Sequence, residues 1–209
     1  MTKNKSNPHW IKEHLADPFV KQAQAEGFRS RAVYKLLEIQ QRNRLFKPGM
    51  TVIDLGSAPG SWSQLVVKLI KPQGKVFALD ILPMEPIPGV TFIQGDFTEQ
   101  SVIDDLFNQL AGVRVDWVIS DMAPNMSGNK SIDMPRAIYL GELALDLCDK
   151  TLSLGGGFLI KMFQGVGFEA FLAEVKQKFK KVSIKKPKAS REKSREVYIL
   201  AEGLKEKKL

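Results

Sequence analysis

Acidic residues stand where apolar runs of this chain stop. Asp54 and Gly56 close Thr51-Val52-Ile53, Asp80 follows Lys75-Val76-Phe77-Ala78-Leu79, Asp96 follows Val90–Gln94, and Asp121 follows Val115–Ser120. A lone aspartate after such a run is ordinarily a turn or helix-capping residue. Four of them, beside one Gly/Pro loop, suggest carboxylates gathered around a ligand. In that loop, Asp54-Leu55-Gly56-Ser57-Ala58-Pro59-Gly60, Gly56 permits a tight turn and Gly60 a close approach that leaves no room for a Cβ. Pro59 stiffens the turn. A helix from about Ser61-Trp62 points free N–H groups at whatever binds.

The loop is neither Gly-x-Gly-x-x-Gly nor a P-loop, since Gly-Lys-Ser/Thr is missing. With no phosphates to cradle, one proline and few glycines suit an amino-acid-bearing nucleoside. Asp80 is placed where an acid holds both ribose hydroxyls, and Asp96 can accept the exocyclic amine of adenine. An acidic pocket also favours a sulfonium cation. These residues read as a site for S-adenosylmethionine.

The residues Ser120-Asp121-Met122-Ala123-Pro124-Asn125 bear on the methyl acceptor. They lack the aromatic with which adenine amino-methyltransferases stack a flipped base. Cytosine C5 chemistry needs a nucleophilic cysteine, and the single one, Cys148, sits mid-helix on a core-like stripe. Lys161 is the odd residue. It interrupts Phe158-Leu159-Ile160-Lys161-Met162-Phe163, apolar on both faces, where a lysine is costly unless paired; snorkelling from an edge strand is the alternative. With Lys35, Asp121 and Glu196 it makes a set of two cations and two carboxylates.

The elements that must position these groups alternate. Helices are expected at 10–23 and 29–44, then strands at 51–55, 75–80, 90–94, 115–120 and 158–163, with helices at 62–70, 99–111, 135–152 and 167–179 among them. Pro48-Gly49, Pro72-Gln73-Gly74 and Gly155-Gly156-Gly157 punctuate. Two final strands, near 181–186 and 196–201, predict an antiparallel closing hairpin. The expectation is an α/β, Rossmann-like, doubly wound and mostly parallel seven-stranded sheet with one antiparallel edge strand, as in class I methyltransferases. It forms one domain over residues 1–209, with flexible basic stretches at about 1–9 and 204–209.

Charge is segregated. Residues 1–50 carry a net +6, residues 51–175 a net −7 and residues 176–209 a net +9. An acidic middle suits a cationic ligand, and basic ends suit a polyanion. Lys12, Lys21, Arg29, Arg31, Arg42 and Arg44 on one side, and Lys185 through Arg195 on the other, are the expected RNA grip. One cysteine and two histidines, His9 and His14, exclude a disulfide framework and argue against a metal enzyme. No apolar run reaches the roughly 20 residues of a membrane span, and the basic start leads into no apolar signal segment. A cytoplasmic monomer is expected.

Longer motifs carry a resemblance. Gly27-Phe28-Arg29-Ser30-Arg31-Ala32, Tyr34-Lys35-Leu36, Asp54-Leu55-Gly56 through Trp62, Ser120–Gly128, Lys161 within its strand, and Ser194-Arg195-Glu196-Val197-Tyr198 resemble the FtsJ/RrmJ ribose 2′-O-methyltransferases, over about residues 10–203. Ser57 and Ser61 stand where many members have Ala and Gly. The resemblance implies a Lys-Asp-Lys-Glu catalytic tetrad on Lys35, Asp121, Lys161 and Glu196. It places cofactor contacts on Gly60, Trp62, Asp80, Asp96 and Asp121. It further implies that Lys161 accepts the proton of a ribose 2′-hydroxyl during in-line displacement, with Lys35, Asp121 and Glu196 positioning the charges. Members that modify large-subunit RNA imply a uridine of the A loop in 23S rRNA as substrate. A tRNA substrate, a non-catalytic RNA-binding assembly factor on this fold, and an NAD-dependent oxidoreductase are the rival readings; the Pro59-Gly60 loop disfavours the last.

Overall fold

The computed structural model describes residues 17–125, 127–191 and 194–206. Among the described residues six helices, α1 Pro18–Ala25, α2 Val33–Asn43, α3 Ser61–Ile70, α4 Gln100–Leu110, α5 Lys130–Thr151 and α6 Phe168–Lys178, accompany seven strands. The strands are β1 Thr51–Leu55, β2 Lys75–Asp80, β3 Val90–Gln94, β4 Val115–Ser120, β5 Leu152–Phe163, β6 Phe179–Lys185 and β7 Glu196–Leu204. They form one sheet in the order β3-β2-β1-β4-β5-β7-β6. β7 is antiparallel to both β5 and β6, so the reversal expected at this end of the sheet is carried one strand in from the edge. That reversal matters for the site. It brings the start of β7, at Glu196, to the carboxyl end of β5, where Phe163 pairs with Glu196 and Lys161 with Tyr198.

Period-two alternation sorts each strand between two cores. Ile53, Leu55, Val118, Phe158, Ile160, Met162, Val197 and Ile199 join the core under α4, α5 and α6. Val52, Ile119, Leu159, Tyr198 and Leu200 join the core under α1, α2 and α3. By the same alternation Asp54 and Lys161 face the α2–α3 side. The odd lysine of β5 is thereby turned toward the helix that carries Lys35.

Several boundaries differ from expectation. The part of the first helix expected at 10–16 lies outside the described residues, as do 1–9 and 207–209. α1 starts on Pro18, with Asp17 accepting from Phe19 N at 2.9 Å. α2 starts four residues late, because Arg29 N donates to Gln64 Oε1 at 3.0 Å and Ala32 N to Ser30 Oγ at 3.3 Å rather than into a helix. α5 starts five residues early: Asn129 caps it by accepting from Ser131 N at 3.0 Å, and Pro135 is tolerated in its second turn at the cost of one backbone bond. β5 runs through the Gly155–Gly157 triplet. A Cβ on Gly157 would sit 2.4 Å from the Trp117 ring, so this glycine admits a cross-strand indole instead of ending the strand. At the C-terminus, Leu204 closes β7, and Lys205 N donates to Lys178 O at 2.9 Å. These two residues, expected in a flexible tail, are held, Leu204 in the sheet and Lys205 at the end of α6.

Candidate active site

Strand order reverses between β1 and β4, the switch point at which open α/β sheets bind ligands. A cavity of about 260 Å³ lies there, lined by Gly56, Asp80, Gly95, Asp121 and Met122 with apolar walls from Leu79, Ile81, Leu82 and Phe97. Gly56 and Ser57 donate their N–H groups to Leu79 O at 2.9 and 3.0 Å, which fastens the loop to β2. Asp80 completes the join: its Oδ2 accepts from Ala58 N and its Oδ1 from Leu82 N, both at 2.8 Å. Gly56 has φ 72°, and a Cβ there would stand 2.4 Å from Met122 Cγ and 3.0 Å from its Cα. Only glycine lets the loop press this closely on the backbone after Asp121.

At Asp121 four ionisable side chains from four elements converge. Lys161 Nζ lies 3.1 Å from Asp121 Oδ1 and also donates to its backbone carbonyl. Lys35 Nζ contacts Glu196 Oε1 at 2.7 Å and stands 4.0 Å from Asp121 Oδ1. The side chains are largely withdrawn from water, Lys161 at 9% exposure and Glu196 at 12%. Burial by itself pushes the Asp121 carboxyl up. The cations of Lys161 and Lys35, together with a hydrogen bond from Tyr198, outweigh it and hold the group below the usual carboxylate range.

A second cavity, about 360 Å³, is lined by Arg31, Ala32, Lys35, Ala189, Arg191, Ser194 and Glu196. The first cavity reaches the tetrad at Asp121, the second at Lys35 and Glu196. One ligand can therefore reach Asp121 and another Lys35 and Glu196, while Lys161 lines neither cavity and touches the set through Asp121.

The FtsJ-like methyltransferase family model matches residues 28–204, a span holding both cavities and all four groups. The chain belongs to that family. It is 57% identical to the Ribosomal RNA large subunit methyltransferase E of Pseudomonas fluorescens over 97% of both proteins. It is 56% identical to the protein of that name from Acinetobacter baumannii, over 97% of this chain and 94% of the relative. A crystal structure titled as a putative ribosomal RNA methyltransferase from Plasmodium falciparum superposes with a TM-score of 0.76 at 30% identity, covering 85% of this chain and 98% of that one. A Clostridium thermocellum structure with TM-score 0.55 and 20% identity shares the fold.

Within this FtsJ-like methyltransferase the expected cofactor residues divide. Asp80 and Asp121 line the first cavity; Asp96 does not, although its chain neighbours Gly95 and Phe97 do, and its Oδ1 is taken by Thr98 N and Oγ1 at 2.8 and 2.7 Å. Gly60 and Trp62 do not line it. A Cβ on Gly60 would meet Ile87 at 2.7 Å, Met84 at 2.8 Å and Arg29 at 3.0 Å, so protein rather than ligand crowds this glycine. Trp62 is buried, donating to Ala32 O at 2.8 Å and packing its ring 5.8 Å from Tyr198.

The expected RNA grip also divides. Arg29 donates to the carbonyls of Pro59, Glu85 and Pro86, and Arg31 joins Asp17 to Ala189 O. Arg42 pairs with Glu38 at 2.9 Å, and Lys186 donates to Ser194 O and Glu196 O at 2.6 Å. These cations hold the fold as well as contributing charge. Lys12, Glu192 and Lys193 lie outside the described residues.

Three contributors have no role in the sequence reading. Tyr198, fully buried, donates to Asp121 Oδ1 at 2.6 Å. Burial first, and then the charges of Asp121 and Glu196, raise its phenol so that it stays a donor. The available signal was spacing: Glu196 and Tyr198, two apart on one strand, share a face. Ser190 donates to Glu196 Oε1 at 2.9 Å, the oxygen that also receives Lys35. Asp133 gathers Ser127 N, Ser127 Oγ and Gly128 N at 2.8, 2.8 and 3.0 Å, anchoring the segment after Asp121 to α5.

Proposed function

We propose that this methyltransferase moves a methyl group from S-adenosylmethionine to a ribose 2′-hydroxyl of RNA, at a uridine in the A loop of 23S rRNA in the large ribosomal subunit. The observation that carries the chemistry is the mutual contact of Lys35, Asp121, Lys161 and Glu196, with Asp121 lining one cavity and Lys35 and Glu196 the other. The substrate class follows the relatives, whose names give large-subunit ribosomal RNA as what they act on.

The first cavity fits the cofactor. It joins the carboxylates of Asp80 and Asp121, suited to ribose hydroxyls and a cation, with apolar walls suited to a flat base. Asp80 would hold the ribose, Asp96 would take the adenine amine from beside the lining residues Gly95 and Phe97, and Asp121 would face the sulfonium. Gly60 and Trp62 would act from behind the loop, by shape. When bound, the cofactor supplies a methyl carbon whose C–S bond breaks with its electron pair going to sulfur.

Lys161, paired with Asp121 as a cation at rest, would first give its own proton to solvent and then take the hydroxyl proton at Nζ while the 2′-oxygen bonds to that carbon. Asp121 then faces the new ammonium across 3.1 Å. Lys35, held by Glu196 at 2.7 Å, presents a fixed cation to the ribose oxygen. General-base help of this kind is worth about 10²–10⁴-fold, and alignment supplies much of the rest. Exposed Lys21, Arg44, Lys188, Arg191 and Arg195 supply phosphate contacts, which give affinity and salt dependence with little sequence information. A monomer in the cytoplasm is part of this proposal. Among the described residues no helix is long and apolar enough to cross a membrane.

Labelled methyl transfer to isolated large subunits, naked rRNA and tRNA tests this reading. Nuclease digestion should place the label on a ribose, in rRNA. Label on a base, or on tRNA alone, would overturn it.

A further inference from the structure

The connection between β2 and β3, residues 81–89, opens with two exposed apolar side chains, Ile81 at 54% and Leu82 at 59%, which wall the first cavity. It contains Pro83, Pro86 and Pro88, none of which has an N–H to give. Such a segment is tethered most readily through its carbonyls, by donors from elsewhere. Arg29 brings them. Its Nη1 donates to Glu85 O at 2.6 Å and Nη2 to Pro86 O at 3.0 Å, while Nη1 also reaches Pro59 O, in the β1–α3 loop, at 3.0 Å. One planar fork thus joins the two segments that enclose the cavity, a geometry that a lysine ammonium reproduces only in part.

Arg29 is itself held. Its backbone N donates to Gln64 Oε1 at 3.0 Å, Ser30 Oγ bonds Ser61 Oγ at 2.8 Å, and Trp62 Nε1 reaches Ala32 O at 2.8 Å. Residues 27–32 are in this way laced to the start of α3. Met84 and Ile87 of the tethered connection close on Gly60, where an added Cβ would lie 2.8 and 2.7 Å from them.

We propose that Arg29 is a cofactor-positioning residue: it clamps the 81–89 connection to the β1–α3 loop and so sets the Ile81–Leu82 wall against the adenosine. Its charge is spent inside the protein rather than on RNA phosphate. The inference rests on the reading of the first cavity as the S-adenosylmethionine site.

Titration calorimetry with S-adenosylmethionine and S-adenosylhomocysteine on wild type, Arg29→Ala and Arg29→Lys tests it, alongside rRNA affinity measured against salt concentration. Arg29→Ala should raise both cofactor Kd values about ten-fold, the scale of one lost charge-assisted hydrogen bond. Arg29→Lys should fall between it and wild type. KM for S-adenosylmethionine should rise with Kd, and the salt slope of RNA binding should not change. Unchanged cofactor Kd values with a salt slope reduced by about one would overturn the proposal and make Arg29 a phosphate contact. Should Arg29→Ala fail to fold, Arg29→Lys decides between the same two outcomes. A wild type that binds neither ligand would overturn the cofactor reading itself, and this inference with it.

Discussion

Asp121 Oδ1 accepts from Tyr198 at 2.6 Å, faces Lys161 at 3.1 Å and stands 4.0 Å from Lys35. A carboxylate with this company keeps its charge at pH values where an ordinary aspartate is half protonated, because each partner favours the ionised form against burial. Its folded pKa is depressed, so its contribution to stability is present above the unfolded value and is lost as pH falls through the folded one. Tyr198→Phe removes one partner while keeping the ring that packs on Trp62. A hydrogen bond to a charged group is worth about 1.5–3 kcal/mol. The variant should therefore lose methyl transfer by about ten-fold or more, and the Asp121 carboxyl, followed by carbon NMR, should titrate at higher pH than in wild type. An Asp121 titration that stays in place would show that the phenol does not tune it. Tyr198 stands in a motif visible in the sequence, yet nothing there gave its partner. Only the register of β7 against β5, Tyr198 opposite Lys161, makes that pairing.

Between elements, β1 and α3 are tied by Ser63 Oγ donating to Asp54 Oδ2 at 2.7 Å, while Asp54 Oδ1 has no hydrogen-bond partner among the described residues. Burial first, relieved in part by Ser63 and reinforced by the nearby charges of Asp121 and Asp80, raises this carboxyl to about 7. In the unfolded chain it titrates near its ordinary value of about 3.9. From about pH 4 to about pH 7 the folded protein keeps a proton that the unfolded chain releases, so Asp54 makes stability fall as pH rises through that window. Asp54→Asn, which keeps an acceptor for Ser63, should flatten this dependence: its Tm should drop less between pH 5 and pH 8 than that of wild type. Equal drops would mean that Asp54 is ionised throughout. The order and type of the elements were legible because apolar runs, Gly/Pro breaks and helical spacing are local. The boundaries that moved depended on partners distant in sequence: Gln64 for the start of α2, and Trp117 for the passage of β5 through its glycines.

Across the whole molecule, the segregated charge of the sequence resolves into two uses. The acidic middle does contain the cavity carboxylates Asp80 and Asp121. The basic ends serve partly as internal fastenings, with Arg29 and Arg31 directed to backbone carbonyls and to Asp17. Composition cannot separate a cation bound to a carbonyl from one presented to solvent, so that division became legible only in three dimensions. The tetrad was more legible, since a lysine inside an apolar strand demands a partner, and the doubly wound topology brings Asp121 to it at the adjacent strand end. Removing Lys161 tests the catalytic arrangement most directly. Single-turnover methyl transfer by Lys161→Ala, with S-adenosylmethionine affinity measured on the same preparation, should show a loss of at least about 10²-fold, with the cofactor still bound. Near wild-type turnover with the cofactor bound would contradict the assignment of Lys161 as the base.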